Sequence, residues 1–321
     1  MQISAVVPCF NEQPGLDALY ERISRVLRQL VADDYEIVLV NDGSRDLTWP
    51  SMCRLADADP RVVAVNLSRN HGHQLALSAG LALSCGERVL VLDADLQDPP
   101  EMLPEMMRLM DDGADVVFGQ RRHREGEGLF KRLSATVFYR VLRWLSDVQI
   151  PVDAGDFRLM SRRAVDLINS MPEAHRFVRG MIGWLGFKQV PLMYDRQPRR
   201  TGTTNYPLRR MVRLAIDAIT GFSNRPLRIA SLLGMMFAVL GLAGVLLSVA
   251  GWFFGRTVPG WTSVMVVVLT LGGIQLTVLG IIGEYLGRLY IESKRRPLYV
   301  IDEIRARGRA PDAPRTMACQ P

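Results

Sequence analysis

Arg88-Val89-Leu90-Val91-Leu92 runs directly into Asp93-Ala94-Asp95-Leu96-Gln97-Asp98-Pro99-Pro100-Glu101. The five leading residues read as a buried parallel strand, since a strand covered on both faces is continuously apolar rather than alternating. A strand ending there delivers two carboxylates to the carboxyl edge of a sheet, where open α/β sheets bind ligands. Adjacent carboxylates repel one another unless a cation offsets them. Their hard oxygens suit Mg²⁺ or Mn²⁺, ions that commonly hold substrate phosphates as well. A purely structural turn, with Asp98 as N-cap and Pro100 early in the next helix, accounts for Asp98 to Glu101. It leaves Asp93 and Asp95 without a role.

Working outward, short apolar runs at 3–7, 36–40, 62–67, 89–92 and 116–118 read as strands. Helical patterns fall between them at about 13–31, 47–57, 73–84 and 101–112. Strict alternation of strand and helix predicts a parallel sheet covered on both faces. Every strand opens into polar residues at its carboxyl end: Asn11-Glu12, Asn41-Asp42-Gly43-Ser44, Ser68-Arg69-Asn70, the Asp93–Asp95 pair, and Gly119-Gln120-Arg121-Arg122. One such turn is weak evidence; five along one edge are not. Neither Gly-x-Gly-x-x-Gly nor a P-loop occurs, so a nucleotide here would be held by carboxylates and a metal rather than by a glycine nest. His71 and His73 flank Gly72 at a helix start, where polar capping accounts for them at least as well as catalysis, and they are left out of the site.

A chain of 321 residues suggests two units. Residues 229–254 and 257–283 are uncharged, separated by Gly255-Arg256, and each exceeds the roughly 20 residues that span a bilayer. With Pro259-Gly260 making a turn, they predict a helical hairpin. The flanks orient it: Arg199, Arg200, Arg209, Arg210, Arg213, Arg225 and Arg228 precede it, and Arg288, Lys294, Arg295 and Arg296 follow. The intervening turn has only Arg256. The positive-inside rule then expects a multi-pass protein of the inner (cytoplasmic) membrane with both termini cytoplasmic. Residues 3–7 are too short, and lack the basic leader, for a signal peptide. Cys9, Cys53, Cys85 and Cys319 show no metal spacing. The net charge of +6 is better explained by anionic lipid than by nucleic acid.

Segments 129–144 and 206–222 are amphipathic with arginines on one side and are expected to lie in the membrane interface. Gly241, Gly244, Gly272, Gly273, Gly280 and Gly283 are expected to permit close helix contact, with Gln275 bonding across helices and Glu284 pairing with an arginine. Residues 296–301 look like an exposed strand able to pair with another protomer, which favours a homo-oligomer. The expected organisation is a cytoplasmic domain over 1–200, a juxtamembrane helix over 201–228, two spans over 229–287, and a cytoplasmic tail over 288–321.

At these residues the chain resembles the family 2 glycosyltransferases of the GT-A fold, and more narrowly the polyisoprenyl-phosphate glycosyltransferases. The resemblance is carried by Val6-Val7-Pro8-Cys9-Phe10-Asn11-Glu12, Val40-Asn41-Asp42-Gly43-Ser44, Ser68-Arg69-Asn70-His71-Gly72, Asp93 to Glu101, Gly119-Gln120-Arg121 and Ala154-Gly155-Asp156-Phe157-Arg158-Leu159-Met160. These occur in family order, and the two spans match as well. The resemblance implies a Rossmann-like, mostly parallel sheet followed by interfacial helices and a two-helix transmembrane hairpin. It implies that Pro8, Phe10, Glu12 and Asp42 contact the base and ribose of a nucleotide sugar. Asp93 and Asp95 would hold the metal and diphosphate, with Gln97 assisting. Arg121, Lys131 and Arg132 would neutralise phosphates of the donor, the lipid acceptor, or both; for Arg121, plain surface charge is the alternative. Asp156 stands where relatives have a proposed catalytic base, and Arg158 reads equally as a structural partner of a nearby carboxylate.

The implied reaction is inverting transfer of one sugar, most readily glucose from UDP-glucose, to a polyprenyl phosphate at the cytoplasmic face; the alternatives are a mannose, N-acetylhexosamine or aminoarabinose-type donor, or a non-catalytic membrane scaffold or flippase partner that keeps the fold. The motif Gln-x-x-Arg-Trp expected of processive synthases does not follow, which favours a single transfer. A phosphate monoester has a second pKa near 6, so the acceptor needs little activation. Asp156 is therefore expected to orient the acceptor or to steady charge at the sugar rather than to remove a proton.

Overall fold

In a computed structural model of the chain, residues 1–121, 154–195, 223–253 and 260–307 are described. They belong to two compact units, the first built from the N-terminal residues, 154–195 and the segment after Pro297, the second from the two long apolar helices.

The first unit is organised by one eight-stranded sheet. Its strands are β1 (Ile3–Cys9), β2 (Tyr35–Asn41), β3 (Val62–Leu67), β4 (Arg88–Val91), β5 (Val116–Arg121), β6 (Ala154–Ser161), β7 (Gln189–Tyr194) and β8 (Ile301–Arg305). Their spatial order is β7-β5-β6-β4-β1-β2-β3-β8. β1 and β2 are buried along their whole length, as continuous apolar runs require. Parallel registers join β1 to β2 and to β4, and β2 to β3, in line with the expected α/β alternation.

The sheet is mostly parallel, as expected, with two antiparallel insertions that the strand–helix alternation does not announce. β6 inserts antiparallel between β4 and β5, and β8 closes the far edge antiparallel to β3. The composition of both edge strands weakens their strand signal. β7 contains Pro191, which cannot donate to a ladder, and β8 reads Ile301-Asp302-Glu303-Ile304-Arg305, charged as exposed edges tend to be. The strand foreseen at 296–301 thus begins at its last residue and pairs within its own chain.

The covering helices are α1 (Leu16–Val31), α2 (Thr48–Ala58), α3 (His73–Leu83), α4 (Leu103–Asp111), α5 (Arg162–Ser170) and α6 (Val178–Trp184). α1 buries Leu16, Leu19, Ile23, Val26 and Leu27, the one-faced spacing of a helix lying on a sheet. Each fully buried aliphatic side chain of this kind contributes about 1.5–3 kcal/mol of transfer free energy. α3 comes closer still, since a Cβ at Gly80 would collide with the Val6 side chain. That close approach brings the first residues of α3 up to the carboxyl ends of β1 and β4.

The second unit contains α7 (Arg225–Phe253) and α8 (Trp261–Ser293). Windows at Arg225–Leu247 and Val266–Ser293 are long and apolar enough to cross a membrane and almost wholly unburied, so both are candidate membrane spans. Leu232, Leu247 and Leu276 are each at least 70% exposed, as for side chains that face lipid. The Tyr285 hydroxyl donates to the Ser223 carbonyl at 2.6 Å, tying the end of α8 to the start of α7. Glu284 pairs with Arg288 one turn on, as anticipated. The six glycines do not make the expected close contacts, because a Cβ at any of them would meet nothing within 4 Å. Gln275 is exposed. The amphipathic segments 129–144 and 206–222, the turn at 256–259, and Lys131 and Arg132 lie outside the described residues.

Candidate active site

The carboxyl edge of β4 carries the Asp93–Glu101 loop, and most of its polar groups have structural duties. Leu96 adopts a left-handed φ of 61°, and the Asp95 carboxylate accepts the Gln97 amide at 3.1 Å across that bend. Arg22 of α1 holds the loop from outside, pairing with both Glu101 oxygens at 2.9 and 2.7 Å and reaching the Leu96 carbonyl at 3.3 Å. Asp98 does not cap the following helix. The short 3-10 turn Pro100–Met102 starts from Pro99 without a side-chain cap, and buried Asp98 accepts the Tyr194 hydroxyl at 2.7 Å instead. Gln97 is buried beside them.

Asp93 is different. Its Oδ1 is buried and accepts no hydrogen bond. Beside it stands the imidazole of His73, whose Nε2 lies 3.5 Å from Asp93 Oδ1 and 3.1 Å from Asp156 Oδ2. His73 is the first residue of α3; its helix is capped by Gly72 without any side-chain bond. The capping role expected of His73 is therefore replaced by membership of the site. His71 does not cap either; its backbone amide donates to Asp42.

Asp156, on β6, is the hub. Arg179 of α6 donates to both its oxygens, Gln74 Nε2 approaches Oδ2 at 3.4 Å, and Arg158 lies 3.6 Å away. Gln74 also accepts the Val178 amide at 3.0 Å, so one side chain ties the start of α3 to the start of α6. Arg158 is buried and donates to the Gly155 carbonyl at 2.7 Å. It is a structural partner, with burial pulling its guanidinium down to about 10 despite Asp156.

The electrostatics follow from burial against charge. Burial pushes the Asp93 carboxyl up to about 6; His73 opposes this, while Asp156, Asp98 and Asp95 add to it. Burial alone would raise Asp156 too, but Arg179, His73 and Arg158 outweigh it and hold it well below the usual carboxylate range. Burial would lower His73, yet the Asp156 bond and the Asp93 charge raise it. The side chains are 42%, 29% and 4% exposed for His73, Asp93 and Asp156, so the cluster opens to solvent at His73 and closes at Asp156.

One atom from each of His73, Asp93 and Asp156 lies within 4.8 Å of the others, the one such grouping among the described residues. An orphaned buried carboxylate oxygen beside an imidazole and a second carboxylate is a donor set that a divalent cation fits. Asp95 belongs to the same loop but turns back on Gln97.

The other strand ends assemble a second group. Pro8 is buried at the end of β1, Phe10 is 45% exposed, and Glu12 donates its amide to Thr48 Oγ1 at 3.0 Å. Asp42 is buried and accepts the backbone amides of His71 and Gly72 at 2.7 and 3.0 Å. Burial raises its pKa, and those two amides pull the other way. Gly43 has φ 66° and sits where a Cβ would run into the backbone of Arg69 and Asn70. The turns after β1, β2 and β3 are thereby one packed unit. Arg121 ends β5 opposite Tyr194.

His73, Gln74 and Arg179 are the functional candidates that sequence reading missed. His73 carried a signal, since it follows the polar turn after β3 at the same sheet edge. Arg179 carried none, because only the packing of α6 brings it to Asp156.

Residues 4–168 match the model of glycosyl transferase family 2, and residues 225–289 match that of the GtrB C-terminal hairpin. The chain is 42% identical over 304 residues to the uncharacterized glycosyltransferase YkcC of Bacillus subtilis (strain 168), covering 94% of each. It is 39% identical over 302 residues to the bactoprenol glucosyl transferase of Shigella phage SfV, covering 94% of this chain and 98% of that one. A solved structure of glucosyl-3-phosphoglycerate synthase from Mycobacterium tuberculosis with Mn²⁺, UDP-glucose and glycerol 3-phosphate aligns with TM-score 0.47 and 22% identity. That alignment covers 68% of this chain and 78% of the other.

Proposed function

The chain belongs to glycosyl transferase family 2, and from that premise we propose that it transfers a single glucose from UDP-glucose to a polyprenyl phosphate at the cytoplasmic membrane face. The acceptor and the sugar are supported by the bactoprenol glucosyl transferase relatives, which match nearly end to end, and by the two candidate spans. The observation that carries the chemistry is the orphaned Asp93 carboxylate facing His73 and Asp156 at the sheet's carboxyl edge.

In this reaction an acceptor phosphate oxygen attacks the anomeric carbon and the nucleoside diphosphate departs with the developing negative charge. A bound Mg²⁺ or Mn²⁺ supplies positive charge at the diphosphate. Asp93 and Asp95, with Gln97, are the residues proposed to hold it, and His73 and Asp156 complete the reachable donors. Arg121, Lys131 and Arg132 are assigned to phosphate charge, a preorganised stabilisation that requires no proton transfer. Pro8, Phe10, Glu12 and Asp42 are assigned to the nucleoside. Asp156, already held by Arg179, orients rather than abstracts. A single in-line displacement inverts the anomeric centre.

We infer that both termini are cytoplasmic, a reading supported by the arginine asymmetry around the hairpin. A donor screen with undecaprenyl phosphate and Mn²⁺ tests the reading. UDP-glucose should be used in preference to GDP-mannose, UDP-N-acetylglucosamine and an aminoarabinose-type donor, and preference for any of these would replace glucose in the account.

A further inference from the structure

β8 follows the second apolar helix in the chain and completes the sheet that carries the site. Its register on β3 jumps: Asn66 faces Glu303 while Leu67 faces Ile301. Asp302 is the extra residue of a β-bulge, a device that re-aims a side chain. Its Oδ2 accepts from Asn66 Nδ2 at 3.1 Å.

A carboxylate only accepts, so this bond fixes which way the Asn66 amide points. Asn66 Oδ1 is left to accept from Asn41 Nδ2, at 2.7 Å. Asn41, 2% exposed, is fixed in turn, and its Oδ1 accepts the Ser44 amide at 3.2 Å. Ser44 Oγ accepts the Asn11 amide at 3.0 Å, and Asn11 Oδ1 accepts the Arg45 amide at 2.9 Å. The Asp302 carboxylate at one end and the Ser44 amide at the other agree on the sense of the Asn66–Asn41 pair, which links β8 to the turns around Asp42 and Phe10. The strand itself is docked by other contacts. Arg305 pairs with both oxygens of Asp57 at 2.9 and 3.0 Å, and the Ser68 amide donates to the Val300 carbonyl at 2.9 Å.

We propose that Asn66, oriented by Asp302 of β8, is a positioning residue for the donor nucleotide. It acts through Asn41 on the turns of residues 10–12 and 41–45, and so rests on the donor site assigned above. The segment after the membrane hairpin is then part of the donor site's architecture rather than a tail.

The test uses full-length protein in detergent and reads two quantities, UDP binding by equilibrium dialysis and amide hydrogen exchange across residues 41–47. Asn66→Ala should weaken UDP binding about tenfold, and Asp302→Ala about threefold because its bond is exposed. Both should speed exchange at the Ser44 and Arg45 amides and leave the KM for polyprenyl phosphate unchanged. Asp302→Asn should restore near-normal behaviour, since its amide oxygen still accepts from Asn66. Arg305→Ala, which loosens β8 without touching the run, should leave both readouts at the wild-type level. Wild-type exchange in both Asn66→Ala and Asp302→Ala overturns the proposal, as does an Arg305→Ala effect equal to that of Asp302→Ala. A wild-type protein that binds no UDP contradicts the donor reading instead, and the exchange data still decide the role of Asn66.

Discussion

Arg179 grips Asp156 with two parallel hydrogen bonds, Nε to Oδ1 at 2.8 Å and Nη2 to Oδ2 at 3.0 Å. This fork is the strong geometry of an arginine–carboxylate pair. A carboxylate so held, with its pKa well below the usual range, stays charged throughout the working pH range and is a poor base. Its stabilising contribution is complete above the ordinary carboxylate pKa and is lost only as pH falls through the depressed folded value.

Asp156→Asn should therefore lower turnover by a factor nearly constant from about pH 6.5 to 8.5, where the acceptor phosphate is mostly dianionic. Both proteins should share an acidic limb near pH 6 from the acceptor itself. An acidic limb present in the wild type and missing in the mutant, in side-by-side pH–rate profiles, contradicts the orienting role.

Arg179→Ala removes one of the counter-charges of a buried anion. Losing a partner from a fully buried pair costs about 3–5 kcal/mol. Arg179 is 34% exposed and Arg158 remains 3.6 Å from Asp156, so the expected loss is smaller, about 1–2 kcal/mol. Arg179→Lys keeps the charge without the fork and should fall between the two. Thermal melts of the solubilised proteins measure this; an unchanged Arg179→Ala melt would remove the clamp from the account.

Chelation should abolish transfer and Mn²⁺ or Mg²⁺ should restore it. Asp93→Asn and Asp95→Asn should each leave the fold intact and prevent that restoration. His73→Ala should raise the Mn²⁺ concentration needed by roughly tenfold or more, the scale for residues that hold or orient metal ligands. Titration of free Mn²⁺ by electron paramagnetic resonance reads binding without turnover, and unaltered binding by all three variants would take the ion away from this cluster.

Much of this was legible beforehand, and the remainder was hidden for identifiable reasons. The five strands and four helices of the first 121 residues follow from apolar runs and amphipathic spacing, and the structure places them within a few residues. β6 reads in the sequence as a motif rather than a strand, because Asp156 and Arg158 interrupt its apolar pattern with charges that become buried only by pairing with each other and with α6. β7 and β8 carry proline and charges suited to sheet edges, which weakens the local strand signal. The grouping of His73, Asp93, Asp156 and Arg179 joins four separate elements, and no spacing in the chain encodes it.

Membrane orientation is testable by reporter fusion. A reporter after Pro321 should be cytoplasmic and one inserted at Gly260 should lie outside, because the basic residues cluster before α7 and at the end of α8. Reversed labelling would put the site on the wrong side for a cytosolic nucleotide sugar.

The central claim is tested most directly by nucleoside diphosphate release from purified full-length protein supplied with UDP-glucose, undecaprenyl phosphate and Mn²⁺. The account predicts UDP release that requires both the lipid phosphate and the metal, with one glucose appearing on the lipid for each UDP formed. UDP release at the same rate without the lipid phosphate, or lipid glucosylation that persists in chelator, would contradict it.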